Sequence, residues 1–124
     1  MNKKERPILE GLINRGTRDL EYFQNTTVRP IIKMQHHLLI LSLKNYFKKR
    51  KIIFNNLSEI KKLNKIISLM TKDIAFRNIC LGFIIGHFSA TEYLYYMNYS
   101  SEINKRIIKI IQKRYQDSLN ELSL

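Results

Sequence analysis

The sequence predicts an all-α protein: a single compact bundle of about five helices, with a nearly all-apolar central helix over about residues 74–88. Three observations predict it. From Asp19 onward, apolar residues recur at intervals of three and four, the period of a helix with one buried face. Serines stand where helices should begin, Ser58 directly before Glu59 and Ser89 three residues before Glu92. No stretch alternates apolar and polar residues as a half-buried strand does, and no segment repeats. The 124 residues are 44% hydrophobic and 26% charged, enough for one core and too apolar for disorder.

Residues 1–18 read as a flexible basic N-terminal tail, carrying Lys3, Lys4, Arg6, Arg15 and Arg18 among two glycines and a proline. Residues 19–124 form the helical domain. Its first helix has a stripe of Leu20, Phe23, Ile31, Met34, Leu38 and Leu41, widened by Ile32, Leu39, Leu43, Tyr46 and Phe47. Pro30 interrupts this stripe. Either Thr26 or Thr27 caps a new helix with Pro30 in its first turn, or one long helix kinks there; the kinked helix is preferred. The helix ends in Lys48-Lys49-Arg50-Lys51, cations that the negative end of the helix dipole stabilises. Residues 52–57 form a connector whose apolar side chains should tuck inward.

Ser58 caps a second helix with Ile60, Leu63, Ile67 and Met70 as its seam, broken at Thr71–Asp73. The third, from Ile74 to Phe88, is apolar on nearly every side, the mark of a helix at the centre of its domain. Gly82 and Gly86 share one face. Because Gly inside a helix costs about 0.5–1 kcal/mol relative to Ala, the pair suggests a neighbouring backbone passing close. Ser89-Ala90-Thr91-Glu92 is a capping box, with Phe88 placed as its staple, opening a short fourth helix. Ser100 or Ser101 caps a fifth, buried through Ile103, Ile107, Ile110, Ile111 and Tyr115.

Charge is the chain's most outward-pointing feature. The formal net charge is +12 and the isoelectric point about 10.0. Between Lys33 and Lys65 nine cations face Glu59 alone. The candidate residues for an anionic partner are Lys44, Lys48, Lys49, Arg50, Lys51, Lys61, Lys62 and Lys65 at this helix–connector–helix corner. Lys105, Arg106, Lys109, Lys113 and Arg114 on the last helix complete the set. Clustered cations attract polyanions. Against a phosphate role stands the excess of Lys over Arg, since Arg grips phosphate bidentately. Heavy use of Lys, Ile and Asn also fits chains from AT-rich genomes, so composition accounts for part of the charge.

Three segments occur in an order that resembles a group of short bacterial all-helical proteins. They are Tyr22-Phe23-Gln24-Asn25 with Val28-Arg29-Pro30-Ile31-Ile32-Lys33, then Lys72-Asp73-Ile74-Ala75-Phe76-Arg77-Asn78, then Gly82-Phe83-Ile84-Ile85-Gly86-His87-Phe88 with Glu92-Tyr93. The resemblance spans residues 20–115 and implies a helical fold with no reaction and no functional residues attached. Some members carry a glyoxalase-type name. These residues lend that name no support, because metal-chelating glyoxalases are β-rich with His and Glu ligands on strands.

Catalytic patterns are sparse. His36 and His37 are adjacent, about 100° apart on a helix, whereas a zinc pair on a helix wants i, i+4 spacing. His87 and Glu92 are placed for a local hydrogen bond. Cys80 and His87 share a helix face out of hydrogen-bond reach. No phosphate loop, dinucleotide fingerprint or paired carboxylates occur, so no catalytic residue, metal ligand or cofactor is expected and an enzyme is disfavoured. Cys80 is the lone cysteine, consistent with a reducing cytoplasm. The longest nearly unbroken apolar run, Ile79 to Phe88, is half a membrane span. Tyr93, Tyr95, Tyr96 and Tyr99 are dense; Tyr95 and Tyr99 share a face and could stack on bases if exposed. The expected function is a non-enzymatic accessory binding RNA, DNA or ribonucleoprotein. The alternative is an adaptor binding another protein, or itself as a small homo-oligomer, with an enzyme of the glyoxalase-type name a remote third.

Overall fold

Pro30 shapes the first third of the molecule, because it has no N–H to give to the carbonyl four residues earlier. The computed structural model describes residues 15–123, with side chains from Arg18. Helix α1 (Arg15–Phe23) runs into a widened π-turn over Gln24–Val28, in which the Arg29 N–H reaches back to the Gln24 carbonyl. Helix α2 (Arg29–Met34) follows without a side-chain cap, and every flanking residue of the turn stays in the right-handed helical region. Pro30 therefore neither starts a Thr-capped helix nor breaks the rod. At Gln35 the backbone relaxes to φ −93°, ψ 15°, and α3 (His36–Lys49) continues beyond it.

The π-turn and the step at Gln35 divide that one rod into three helices, which explains why seven helices form among the described residues where about five are expected. The remaining four are α4 (Glu59–Lys72), α5 (Ile74–Ile85), α6 (Ala90–Asn98) and α7 (Ser100–Gln116), with a closing helical turn over Leu119–Leu122. The tail expected over residues 1–18 lies outside the described residues up to residue 14, and residues 15–18 belong to α1.

The end of α3 is a left-handed cap. Lys51 has φ 57°, its N–H donates to the Lys48 carbonyl at 3.1 Å, and the Ile52 N–H donates to the Phe47 carbonyl at 2.9 Å. This double bond pattern satisfies the last carbonyls and favours glycine at the left-handed position. In the connector Phe54 is buried and stacks on Phe47 at 4.6 Å, while Ile53 points to solvent, so only part of the segment tucks inward.

The start signals are realised at two serines. Ser58 Oγ accepts the Lys61 N–H at 3.3 Å, and Ser89 with Glu92 forms both bonds of a capping box, at 3.1 and 2.8 Å. Neither Ser100 nor Ser101 caps α7; Tyr99 precedes it without a side-chain cap bond. Asp73 does two jobs. Its N–H closes α4 on the Leu69 carbonyl, and its carboxylate caps α5 through the Phe76 N–H at 3.0 Å.

Helix α7 is the most deeply seated, burying Ile103, Ile107, Ile108, Ile111 and Tyr115 against α4, α5 and α6. The Tyr115 hydroxyl is buried but satisfied, donating to the Leu39 carbonyl at 2.8 Å. Helix α5 is not buried all round, although Leu81, Phe83 and Ile85 are half-buried against the core. Phe76, Cys80 and Ile84 face inward, while Ile74, Ile79 and Gly82 are exposed. A Cβ at Gly82 would meet nothing within 4 Å among the described residues, so the close backbone neighbour expected there is absent from them.

Candidate anion-binding cleft

Helix α7 divides its residues by face. Ile103, Ile107 and Ile111 recur every four residues, with Arg106 and Lys109 between them and Lys113 and Arg114 after the last. Glu102 sits in the first turn and Lys113 and Arg114 in the last, the order that the helix dipole favours. The flank between the buried and outer faces looks across at the π-turn and α2. A cleft of about 540 Å³ opens between them.

Five cations line it: Arg29 from α2 and Arg106, Lys109, Lys113 and Arg114 from α7. Gln24, Ile110, Asp117 and Ser118 complete the wall. Among the described residues Asp117 is the one acid of the cleft, and its carboxylate already accepts Lys113 Nζ at 3.0 Å. Like charges gathered along one wall repel one another, and a bound anion relieves that repulsion.

All three arginines are held in place. Arg106 Nη1 donates to Gln24 Oε1 at 2.9 Å, tying the middle of α7 to the π-turn. Arg29 Nε donates to Asn25 Oδ1 one turn earlier at 3.1 Å. Arg114 Nη1 lies 3.2 Å from His36 Nδ1, and His36 Nε2 lies 2.8 Å from Glu121 Oε1. A guanidinium can only donate, so in this arrangement Nδ1 carries the lone pair and Nε2 the proton that Glu121 accepts. His36 thus links the cleft to the closing helical turn, while His37 is exposed.

Of the expected binding residues, Arg106, Lys109, Lys113 and Arg114 come together here. Lys105 does not, because it projects from the outer face of α7. None of the cleft's lining residues comes from the 44–65 corner, whose cations are dispersed. Arg50 lies over the Tyr46 ring at 3.9 Å and 3.7 Å from Asp73. Lys62 donates to Ser123 Oγ at 2.8 Å and lies over the Phe54 ring. Lys44 and Lys48 border a smaller hollow with Phe54 and Leu122, and Lys61 and Lys65 another with Leu57 and Ser68. Lys49 and Lys51 are exposed around the left-handed cap.

Arg29 and Gln24 were not among the expected site residues. Both sit on the rod across from α7, and only the π-turn geometry brings them to it.

Elsewhere the titratable side chains serve structure. The Cys80 thiol is buried, pushed up to about 12 by desolvation, and 3.9 Å from the Tyr115 hydroxyl. A thiol held protonated in this way is a poor nucleophile. His87 meets Gln35 at the α2–α3 bend, and Glu92 also accepts from Thr27 Oγ1 at 3.3 Å, so each finds a partner beyond their shared turn. Among the described residues no three His, Cys, Asp or Glu side chains converge as a metal site requires, and no helix is long and apolar enough to cross a membrane. No family model matches the chain, and neither a curated protein nor a solved structure is similar to it.

Proposed function

We propose that this protein is a non-enzymatic accessory that binds nucleic acid or ribonucleoprotein through the cleft between α7 and α2. The observation that carries this reading is the convergence of Arg29, Arg106, Lys109, Lys113 and Arg114 on one cleft with a single, already paired acid. Two of the five are positioned arginines that hold their guanidinium groups by hydrogen bonds to Gln24 and Asn25. Such forks suit phosphate oxygens better than mobile lysines do.

The test is binding of labelled mixed-sequence RNA and DNA over a series of KCl concentrations. Affinity should fall linearly with salt on a double-logarithmic plot, by about 0.7–0.9 per phosphate contacted. The triple variant R106A/K109A/K113A should flatten that slope by about 2–3. No binding of either nucleic acid at low salt overturns the reading.

A second reading, an adaptor or small homo-oligomer, draws on a different surface. Met34, Leu38 and Leu41 lie four and three residues apart along α2 and α3 and are 59%, 45% and 61% exposed. A partner helix laid on this stripe would cover it. Light scattering across a concentration series distinguishes self-association: a constant monomer mass removes the homo-oligomer.

A further inference from the structure

An aromatic series stands at the N-terminal end of α7, outside the residues that line the cleft. Rings pass from the core to the surface in contact: Phe88 edge-on to Phe23 at 5.4 Å, Phe23 to Tyr95 at 4.9 Å, Tyr95 to Tyr99 at 4.8 Å. Phe23 is 3% exposed and Tyr99 39%. Phe23, within the series, is followed in the chain by Gln24, whose side chain holds Arg106. Tyr99 also opens α7, its carbonyl accepting the Ile103 N–H at 2.9 Å. Tyr99, Arg106 and Lys113 are seven residues apart in turn. Seven residues make nearly two full helical turns, so Arg106 and Lys113 stand in one row about 10 Å apart, and Tyr99 precedes that row at the residue just before α7.

We infer that the ligand of this cleft is an unpaired nucleic acid strand, with one base stacked on Tyr99 and its backbone running along α7 past Arg106 to Lys113. The inference rests on the polyanion reading above and adds the strand state to it. A stacking platform needs an aromatic face that is exposed and held still. Tyr95 lies against Tyr99 at 4.8 Å, and Tyr99 is still 39% exposed. Every base has such a face, so stacking is tolerant of sequence, and in a duplex those faces are already occupied. The cations alone would favour a duplex, whose charge density and salt dependence are the greater. A preference for single strands therefore requires something besides charge, and the Tyr99 ring supplies it.

The experiment uses the full chain and three probes of equal length: a mixed-sequence single-stranded RNA, the corresponding single-stranded DNA, and the DNA duplex. Fluorescence anisotropy over a series of KCl concentrations should show, at each matched concentration, both single strands bound more tightly than the duplex, and their ratio tells whether the ribose hydroxyl contributes. Tyr99→Leu should weaken single-strand binding about tenfold with the salt slope and duplex binding unchanged. Tyr99→Phe, which keeps the ring and its packing, should bind as the parent does. The inference is overturned if the duplex binds as well as the single strands, or if Tyr99→Leu weakens both equally. Should Tyr99→Leu leave every affinity unchanged while R106A/K109A/K113A removes binding, stacking is wrong and the polyanion reading stands. Failure of all three probes to bind the parent chain at low salt removes both.

Discussion

Gln24 Oε1 accepts a hydrogen bond from Arg106 Nη1 at 2.9 Å, joining two residues 82 apart in the chain. The bond exists because the π-turn re-aims one side chain of the rod toward the middle of α7. Single-turn widenings of this kind often occur at functional sites. Here it converts a cation on a helix flank into one held in a defined position, where less conformational freedom is lost on meeting a phosphate.

Positioning and charge can be separated at this pair. Arg106→Ala removes a charge and should lower nucleic acid affinity with a salt slope reduced by about 0.7–0.9. Gln24→Ala keeps every charge and should lower affinity severalfold with the slope unchanged. Anisotropy titrations against KCl read both quantities. Equal slopes for Arg106→Ala and the parent would show that Arg106 contacts no phosphate.

Asp73 predicts a pH dependence. Its carboxyl is held below the usual carboxylate value of 3.8, first by the Tyr46 hydroxyl donating to it at 2.7 Å, then by the Phe76 N–H and the Arg50 charge. A group whose folded value is depressed stabilises the protein above its unfolded value, and that stabilisation is lost as pH falls through the folded value. Thermal melts from pH 7 to pH 2 should therefore show a Tm loss beginning below about pH 4 that Asp73→Asn flattens. Tyr46→Phe removes the first cause and should move the Asp73 midpoint back up in an NMR titration. An unmoved midpoint would mean that the capping bond alone sets it. Tyr46 shifts the opposite way, raised above 10.0 by burial and then by Asp73, so its hydroxyl stays protonated across this range.

Lys51 stands at φ 57° where the two cap bonds ask for a left-handed residue. A side chain there costs about 1 kcal/mol that glycine does not. Lys51→Gly should raise the urea midpoint accordingly with an unchanged m-value. It should leave nucleic acid binding untouched, because Lys51 lines no part of the α7 cleft. Weaker binding by Lys51→Gly would return the 44–65 corner to the interface.

How much was legible in the chain differs from residue to residue. Ser58, Ser89 and Glu92 announce their helices because a cap is a local bond within four residues, and local bonds are written in adjacent letters. The all-α class follows from the same short-range period. The dispersal of the corner was not legible, because where Arg50 and Lys62 point depends on Tyr46, Asp73, Phe54 and Ser123, set by packing between distant segments. Arg29 and Gln24 escaped for a related reason. Composition marks them as one more cation and one more amide, and only the extra residue in the turn before Pro30 aims the amide at α7. The exposure of Ile74 and Ile79 on α5 is not legible from its apolar residues, since hydrophobicity counts how many faces can be buried, while neighbours decide how many are.

Gly82 and Gly86 make that last point measurable. Gly82 is exposed inside α5 with open space around a would-be Cβ, so Gly82→Ala should gain about 0.5–1 kcal/mol from reduced freedom of the unfolded chain and better helix propensity. In a chain of this size that is a Tm rise of about 2–4 °C. Gly86 differs, because a Cβ there would come within 3.0 Å of the Gly82 carbonyl oxygen, a backbone atom that cannot swing aside. Gly86→Ala should therefore gain nothing or lose stability. The contrast between the two variants is the informative quantity, since they share a helix and a residue type and differ in the space beside them. A Tm drop in Gly82→Ala as large as that in Gly86→Ala would show that this face of α5 is covered, and light scattering on the same samples would report whether a second copy covers it.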